Sequence, residues 1–259
     1  MKIKILFENK NLLVLDKPAG FAVHEDGKTE QKTIAEYILK NFKNLKNVGE
    51  NFGQIEKPGI VHRLDKYTTG CLIVAKNQES YENLKHQFQT KKIKKEYLAL
   101  VWGNMKYDTG IIDFPIARSK NDFRKKEIVK VTNEDREKFR GEERESLTRY
   151  KVLERLEIFG EKVSLVAFYP ETGRTHQIRI HSKSIGHPIV GDHLYGPVKE
   201  EFEKKYFKNT KLKNYTRQLL HAKSITFFDP GTGEEIKIES PLPKDMKNVK
   251  ILLNSIKEK

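Results

Sequence analysis

Gly59-Ile60-Val61-His62-Arg63-Leu64-Asp65-Lys66-Tyr67-Thr68-Thr69-Gly70 sets an imidazole, a guanidinium and a carboxylate within four residues, just ahead of the apolar run Cys71 to Ala75. The run reads as a buried strand. Polar groups placed where a core strand begins are where a site can be built. Asp65 as a turn cap, with His62 and Arg63 solvated, is the plainer reading of the same residues.

Working outward, Ile3 to Phe7 and Leu12 to Asp16 read as strands, and Lys17-Pro18-Ala19-Gly20 interrupts them. Ile34, Tyr37, Ile38 and Phe42 recur at helical spacing behind Thr33, a natural N-cap. Residues 43–60 read as loop. Asn77 to Gln89 is a helix with Tyr81, Leu84 and Phe88 on one face, and Tyr97 to Val101 is apolar on both faces, as in a central strand. Ile111 to Ile116 looks extended, whereas 117–145 is highly charged and carries no core pattern. Leu147 to Leu156 and Lys162 to Phe168 alternate as paired strands, and a short helix is expected near Arg174. His221 to Phe228, the turn Asp229-Pro230-Gly231-Thr232-Gly233 and Glu235 to Ile238 make a hairpin. Val249, Leu252, Leu253 and Ile256 give a last helix. The expected fold is α+β, with a mixed, mostly antiparallel central sheet and flanking helices in one domain, residues 1–259.

Composition narrows the class. The 259 residues hold 50 Lys+Arg against 36 Asp+Glu, a net charge of +14. The longest apolar stretch, Tyr97 to Trp102, falls far short of the roughly 20 residues of a membrane helix. The first residues carry no secretory signal. The single cysteine, Cys71, forbids an internal disulfide, and a soluble protein of a reducing compartment, the cytoplasm, is expected. A surplus of +14 suits a polyanion partner, although a lysine-rich background competes with that reading. The basic residues cluster at Lys91, Lys92, Lys94 and Lys95; at Arg118, Lys120, Arg124, Lys125 and Lys126; and at Lys204, Lys205, Lys208, Lys211 and Lys213.

Two further segments join the first. Thr172-Gly173-Arg174-Thr175-His176-Gln177-Ile178-Arg179-Ile180-His181 would, as a helix, put Arg174, Ile178 and His181 on one face and Thr175 and Arg179 on another. Two arginines near a helix N-terminus suit an anion. In Lys95-Glu96-Tyr97-Leu98-Ala99-Leu100-Val101, Tyr97 points to the side of Ala99 and Val101, by default the core. Taken together and in this order, the three segments resemble the RluA-type RNA pseudouridine synthases. Leu15-Asp16-Lys17-Pro18-Ala19-Gly20-Phe21-Ala22-Val23-His24, Gly186-His187-Pro188-Ile189-Val190-Gly191-Asp192 and Leu220-His221-Ala222 resemble further motifs of that family. Thr69 stands where the family usually has Ser, Tyr67 is an unusual occupant, and the middle motif survives as Ser146-Leu147-Thr148-Arg149-Tyr150.

The resemblance implies that specific uridines of a structured RNA, ribosomal or transfer, become pseudouridine. The glycosidic N1–C1′ bond breaks, the uracil rotates and C5 joins C1′, with no cofactor and no metal. By the same resemblance Asp65 acts at the sugar as nucleophile or base, Arg179 is its basic partner, and Tyr97 stacks on a flipped uracil. His62, Arg63, Thr68, Arg174, His176 and Gln177 are the expected substrate-binding residues. The resemblance covers about residues 5–240, without the accessory RNA-binding domain of many relatives, and implies a monomer with no obligatory protein partner. A zinc enzyme built on His176, His181, His187 and His193 is a poorer reading, because their spacings are not those of helical zinc sites. A non-catalytic RNA-binding module would not require Asp65, Tyr97 and Arg179 together. Cys71, in an apolar run without an adjacent base, reads as structural rather than nucleophilic.

Overall fold

The computed structural model describes residues 3–24, 32–50, 58–129, 139–207 and 217–247. Two compact units emerge: Met1–Lys95 with Ala222–Pro241, and Glu96–His221 with Leu242–Lys259.

In the first unit β1 (Lys4–Glu8), β2 (Leu12–Lys17) and β3 (Thr69–Ala75) pair antiparallel in sequence order. β3 is buried along its whole length, as its unbroken apolar run requires. β11 (Leu220–Phe228) lies next to β3, and β12 (Glu235–Glu239) pairs with it through the hairpin expected at Asp229. Asp229 Oδ1 accepts the Gly231 N–H at 2.7 Å, which shapes that turn. Gly70 lets β3 approach its neighbour: its φ is +112°, and a Cβ there would lie 2.2 Å from the Ala222 carbonyl oxygen. The helices carry the expected caps. Thr33 and Glu36 form a reciprocal capping box on α1 (Ile34–Asn41), and Asn77 caps α2 (Gln78–Gln89). Tyr81 and Leu84 of α2 pack with Leu12, Val14, Ile73, Ile225 and Phe227 in one core. The loop read over 43–60 contains a short 3-10 turn, Lys43–Leu45.

In the second unit β4 (Lys94–Trp102), β10 (Glu161–Pro170), β9 (Leu147–Ile158) and β5 (Thr109–Asp113) lie side by side. β10 pairs antiparallel with β4, and β9 with both β10 and β5. β4 is apolar on both faces because it serves two cores. Leu98, Leu100 and Trp102 enter one, and Ala99 and Val101 the other, on which Tyr97 also packs.

Three sequence expectations need correction. The charged segment after residue 116 is not patternless: β6 (Ile116–Ser119), β7 (Lys126–Ile128) and β8 (Phe139–Arg144) form a separate three-stranded antiparallel sheet. A helix absent from the sequence reading, α4 (Glu200–Phe207), buries Phe202 and Tyr206 against Trp102 and carries Lys204 and Lys205. The helix expected near Arg174 starts later, as α3 (Gln177–Ser184), with His176 before it at φ 59°. Arg174 and Thr175 therefore precede the helix and share no face with Ile178, Arg179 or His181. Lys208, Lys211, Lys213 and the helix expected over Val249 to Ile256 lie outside the described residues.

Candidate active site

Asp65 sits in a turn that a buried lysine holds from behind. Its carbonyl accepts the Thr68 N–H at 3.0 Å, closing the turn over Lys66 and Tyr67. Lys17, with no exposed surface, ends β2 and sends its ammonium to three carbonyls: Lys66 at 3.0 Å, Phe21 at 2.9 Å and Pro18 at 3.0 Å. The Gly20 N–H reaches the same Lys66 carbonyl at 2.9 Å. The Lys-Pro-Ala-Gly stretch and the Asp65 turn are thus one construction. Asp65 is half-buried and Arg63 is exposed. Thr68 is buried, and its hydroxyl has no hydrogen-bond partner among the described residues.

In the second unit Arg179 projects from α3 into the protein, 6% exposed, and meets Asp192, 1% exposed. Arg179 Nε donates to Asp192 Oδ2 at 2.7 Å and Nη2 to Oδ1 at 2.8 Å. Asp192 Oδ1 also accepts the Leu194 and Tyr195 N–H groups at 3.2 and 3.3 Å, so this carboxylate organises its own turn. Gly191, at φ +75°, opens that turn; a Cβ there would lie 2.2 Å from the Arg217 carbonyl oxygen. Tyr195 lies beneath the guanidinium, 4.9 Å from its ring centre, and its hydroxyl meets His176 Nδ1 at 2.8 Å. Tyr97 stands opposite Phe168 in the β4–β10 register, on the core to which Ile178 of α3 contributes.

Asp65, Arg179 and Tyr97 occur in motif order on built elements, and a family model described as RNA pseudouridylate synthase matches residues 11–184, through all three of them but not as far as Asp192. The chain belongs to that family. Over 246 residues it is 36% identical to an uncharacterized RNA pseudouridine synthase of Bacillus subtilis, covering 95% of this chain and 71% of that one. It is 37% identical over 244 residues to the ribosomal large subunit pseudouridine synthase D of Nitrosomonas europaea, covering 94% and 63%. Its structure resembles the human RNA pseudouridylate synthase domain containing 1, with a TM-score of 0.69 and 26% identity over 93% of this chain and 83% of that one.

Several residues of this pseudouridine synthase have work inside the fold. His62 Nε2 accepts the Ile73 N–H at 2.9 Å, and its ring stacks on Phe88 at 4.7 Å. Burial, with a smaller push from the Lys95 charge, lowers its pKa to about 3, so the ring is neutral and carries its proton on Nδ1. Gln177, expected at the substrate, is buried with its amide saturated. Its oxygen accepts from the Thr172 hydroxyl and the Arg174 N–H at 2.7 and 2.9 Å. Its nitrogen donates to the Leu147 carbonyl and the Thr148 hydroxyl, both at 3.0 Å. These four bonds use the full capacity of a primary amide, so in this fold Gln177 braces the approach to α3.

The four histidines of the zinc reading have separate partners: Tyr195 for His176, Ser146 and Thr148 for His181, the Trp102 carbonyl for His187 and Glu203 for His193. Burial pushes the Cys71 thiol up to about 12, which fits a structural cysteine. Asp192 and Tyr195 are the residues that sequence reasoning missed. The signal for Asp192 was present, since an arginine on an otherwise buried helix face needs a buried carboxylate.

Proposed function

We propose that this synthase converts specific uridines of a structured RNA with Asp65 as the group that acts at the sugar. The net change is balanced within one nucleotide. The N1–C1′ bond breaks, C5 bonds to C1′, the proton at C5 is lost and N1 gains one. Nothing in that balance calls for an external oxidant, metal or cofactor. A single ionised carboxylate is the chemical requirement, together with a pocket that accepts a base taken out of its stack. Tyr97 stacks on the flipped uracil, and Arg179 is the cation that keeps the reacting carboxylate charged. Arg63, Thr68, Arg174 and His176 hold the opened RNA, while His62 and Gln177 act indirectly by fixing β3 and the start of α3.

The observation that carries this reading is the clamped turn. A half-buried acid is held by a buried lysine through its neighbour's carbonyl, within the span matched by the family. Relatives named as ribosomal large subunit pseudouridine synthase D, from Nitrosomonas europaea and Pseudomonas aeruginosa, favour ribosomal over transfer RNA as substrate. The chain acts as a cytoplasmic, monomeric catalytic domain. Among the described residues no helix is long and apolar enough to cross a membrane.

Pseudouridine mapping of total RNA, with and without this protein, is the test. A site lost from large-subunit RNA and restored by the parent but not by Asp65→Asn, which still binds RNA, is the expected result. Full restoration by Asp65→Asn would remove Asp65 from the chemistry. No lost site would favour a binding module.

A further inference from the structure

The small sheet β7-β6-β8 and the loop before α3 enclose a groove of about 580 Å³. Its walls carry Arg118, Lys126, Arg144 and Arg174, against the single carboxylate of Glu142. Among the described residues none of these four cations has an ion-pair partner, although Arg124 beside them is paired with Asp122. Arg174 Nε donates to the Glu145 carbonyl, a neutral partner, at 3.0 Å. The strand register adds to the crowding. Arg118 stands directly opposite Lys126 across β6 and β7, a cross-strand pair of like charges that is unfavourable by itself. The Lys126 ammonium is lowered from the ordinary lysine range, first by burial and then by Arg118 and Arg144. A protein that sets four cations around one groove with a single carboxylate among them has built a seat for an anion.

The groove is also tied to α3 and its arginine. The Lys126 N–H of β7 donates to the Tyr195 hydroxyl at 2.9 Å. That same hydroxyl meets His176, and the Tyr195 ring lies against the Arg179 guanidinium. The strand that carries Lys126 is thus joined to the residues around Arg179 through one shared aromatic side chain.

We propose that this groove is a docking site for the phosphate backbone of the substrate RNA, held by Arg118, Lys126, Arg144 and Arg174, and that it sets the RNA register without reading bases. This rests on the reading of the protein as an RNA-modifying enzyme. Arginine and lysine contacts to phosphate position a nucleic acid, whereas base contacts specify it. The groove's contribution is accordingly indifferent to sequence and steeply dependent on salt.

The experiment uses the full chain, a short uridine-containing RNA hairpin and Kd measured from about 50 to about 200 mM salt. Arg118→Gln/Arg144→Gln should weaken binding about tenfold or more at low salt and make the log–log salt slope shallower by roughly 0.7–0.9 for each arginine. Arg118→Lys/Arg144→Lys should retain most of the slope. Lys10→Gln/Lys40→Gln, an equal loss of charge from exposed sites elsewhere, should change neither quantity by as much. An unchanged slope in a glutamine variant whose circular dichroism and melting match the parent would overturn the groove. So would equal effects from the Lys10/Lys40 control. If polyglutamate binding falls in the variant while RNA binding holds, the occupant is an acidic protein and the proposal is wrong. Failure of the functional reading looks different: the parent makes no pseudouridine in any RNA, whatever the groove variants do to binding.

Discussion

Arg179 and Asp192 form a two-pronged ion pair, at 2.7 and 2.8 Å, between two side chains that are almost completely buried. Both charges have been taken out of water, so each depends on the other. Asp192→Asn takes the negative charge out of this buried pair and loosens the turn at Leu194 and Tyr195. A loss of about 3–5 kcal/mol is expected in urea unfolding. Arg179→Ala should lose a similar amount and also be severely impaired in turnover per folded molecule. An Asp192→Asn protein as stable as the parent would mean that the pair carries no structural weight.

Lys17 is a second buried cation, and its ammonium donates to three carbonyls. Lys17→Met keeps the bulk of the side chain and removes the donor from Lys66, Phe21 and Pro18. The expected cost is about 2–4 kcal/mol, since charged hydrogen bonds contribute roughly 1.5–3 each and partial rearrangement recovers some. Single-turnover pseudouridine formation should slow as well, because the turn that carries Asp65 loses its brace. Full stability with normal turnover would show that Gly20 alone holds the turn.

His62 predicts an acid-sensitive first unit. In the fold its imidazole stays neutral down to about pH 3, while an unfolded histidine protonates near its ordinary value. Between those two values only the unfolded chain takes up the proton, so stability is complete above about 6.5 and falls as the pH drops toward 3. Protonation at Nε2 would also break the bond from Ile73. Urea midpoints measured from pH 7 to pH 4 should decline, and His62→Gln should flatten the decline. A parallel slope in the variant would assign the acid sensitivity to other groups.

Cys71 should be inert. Its thiol is buried beside the Lys223 and Ile238 carbonyls, with a pKa pushed up to about 12. Labelling by a disulfide reagent at pH 8 should proceed no faster than unfolding and become immediate in urea. Rapid stoichiometric labelling of the folded protein would contradict its burial.

What could be read from sequence follows from local rules. The capping box at Thr33, the cap at Asn77, the hairpin at Asp229 and the paired strands β9 and β10 depend on residues close in the chain. Their spacing therefore announces them. The sheet around Arg118 escaped because its strands are short and half-wet. Burial in β6 falls on Ile116, Ala117 and Ser119, and β7 is only half-buried throughout. No periodic apolar signal survives in such strands, and their pairing is settled across distant residues. The start of α3 escaped for a related reason. Gln177 saturates its amide on Thr172, Arg174, Leu147 and Thr148, and that network begins the helix three residues later than Arg174.

By itself, then, the sequence determined the capped helices and the longer strands, the ordered motifs and the identity of the candidate acid, arginine and tyrosine, because these are set by residue type and short spacing. Only the tertiary structure decided which groups stand behind them. Lys17 holds the Asp65 turn from 49 positions away, Asp192 reaches Arg179 across 13, and Tyr195 joins β7 to His176. Such pairings arise because a buried charge or polar group must find a partner wherever the folded chain brings one, and no local pattern encodes that meeting.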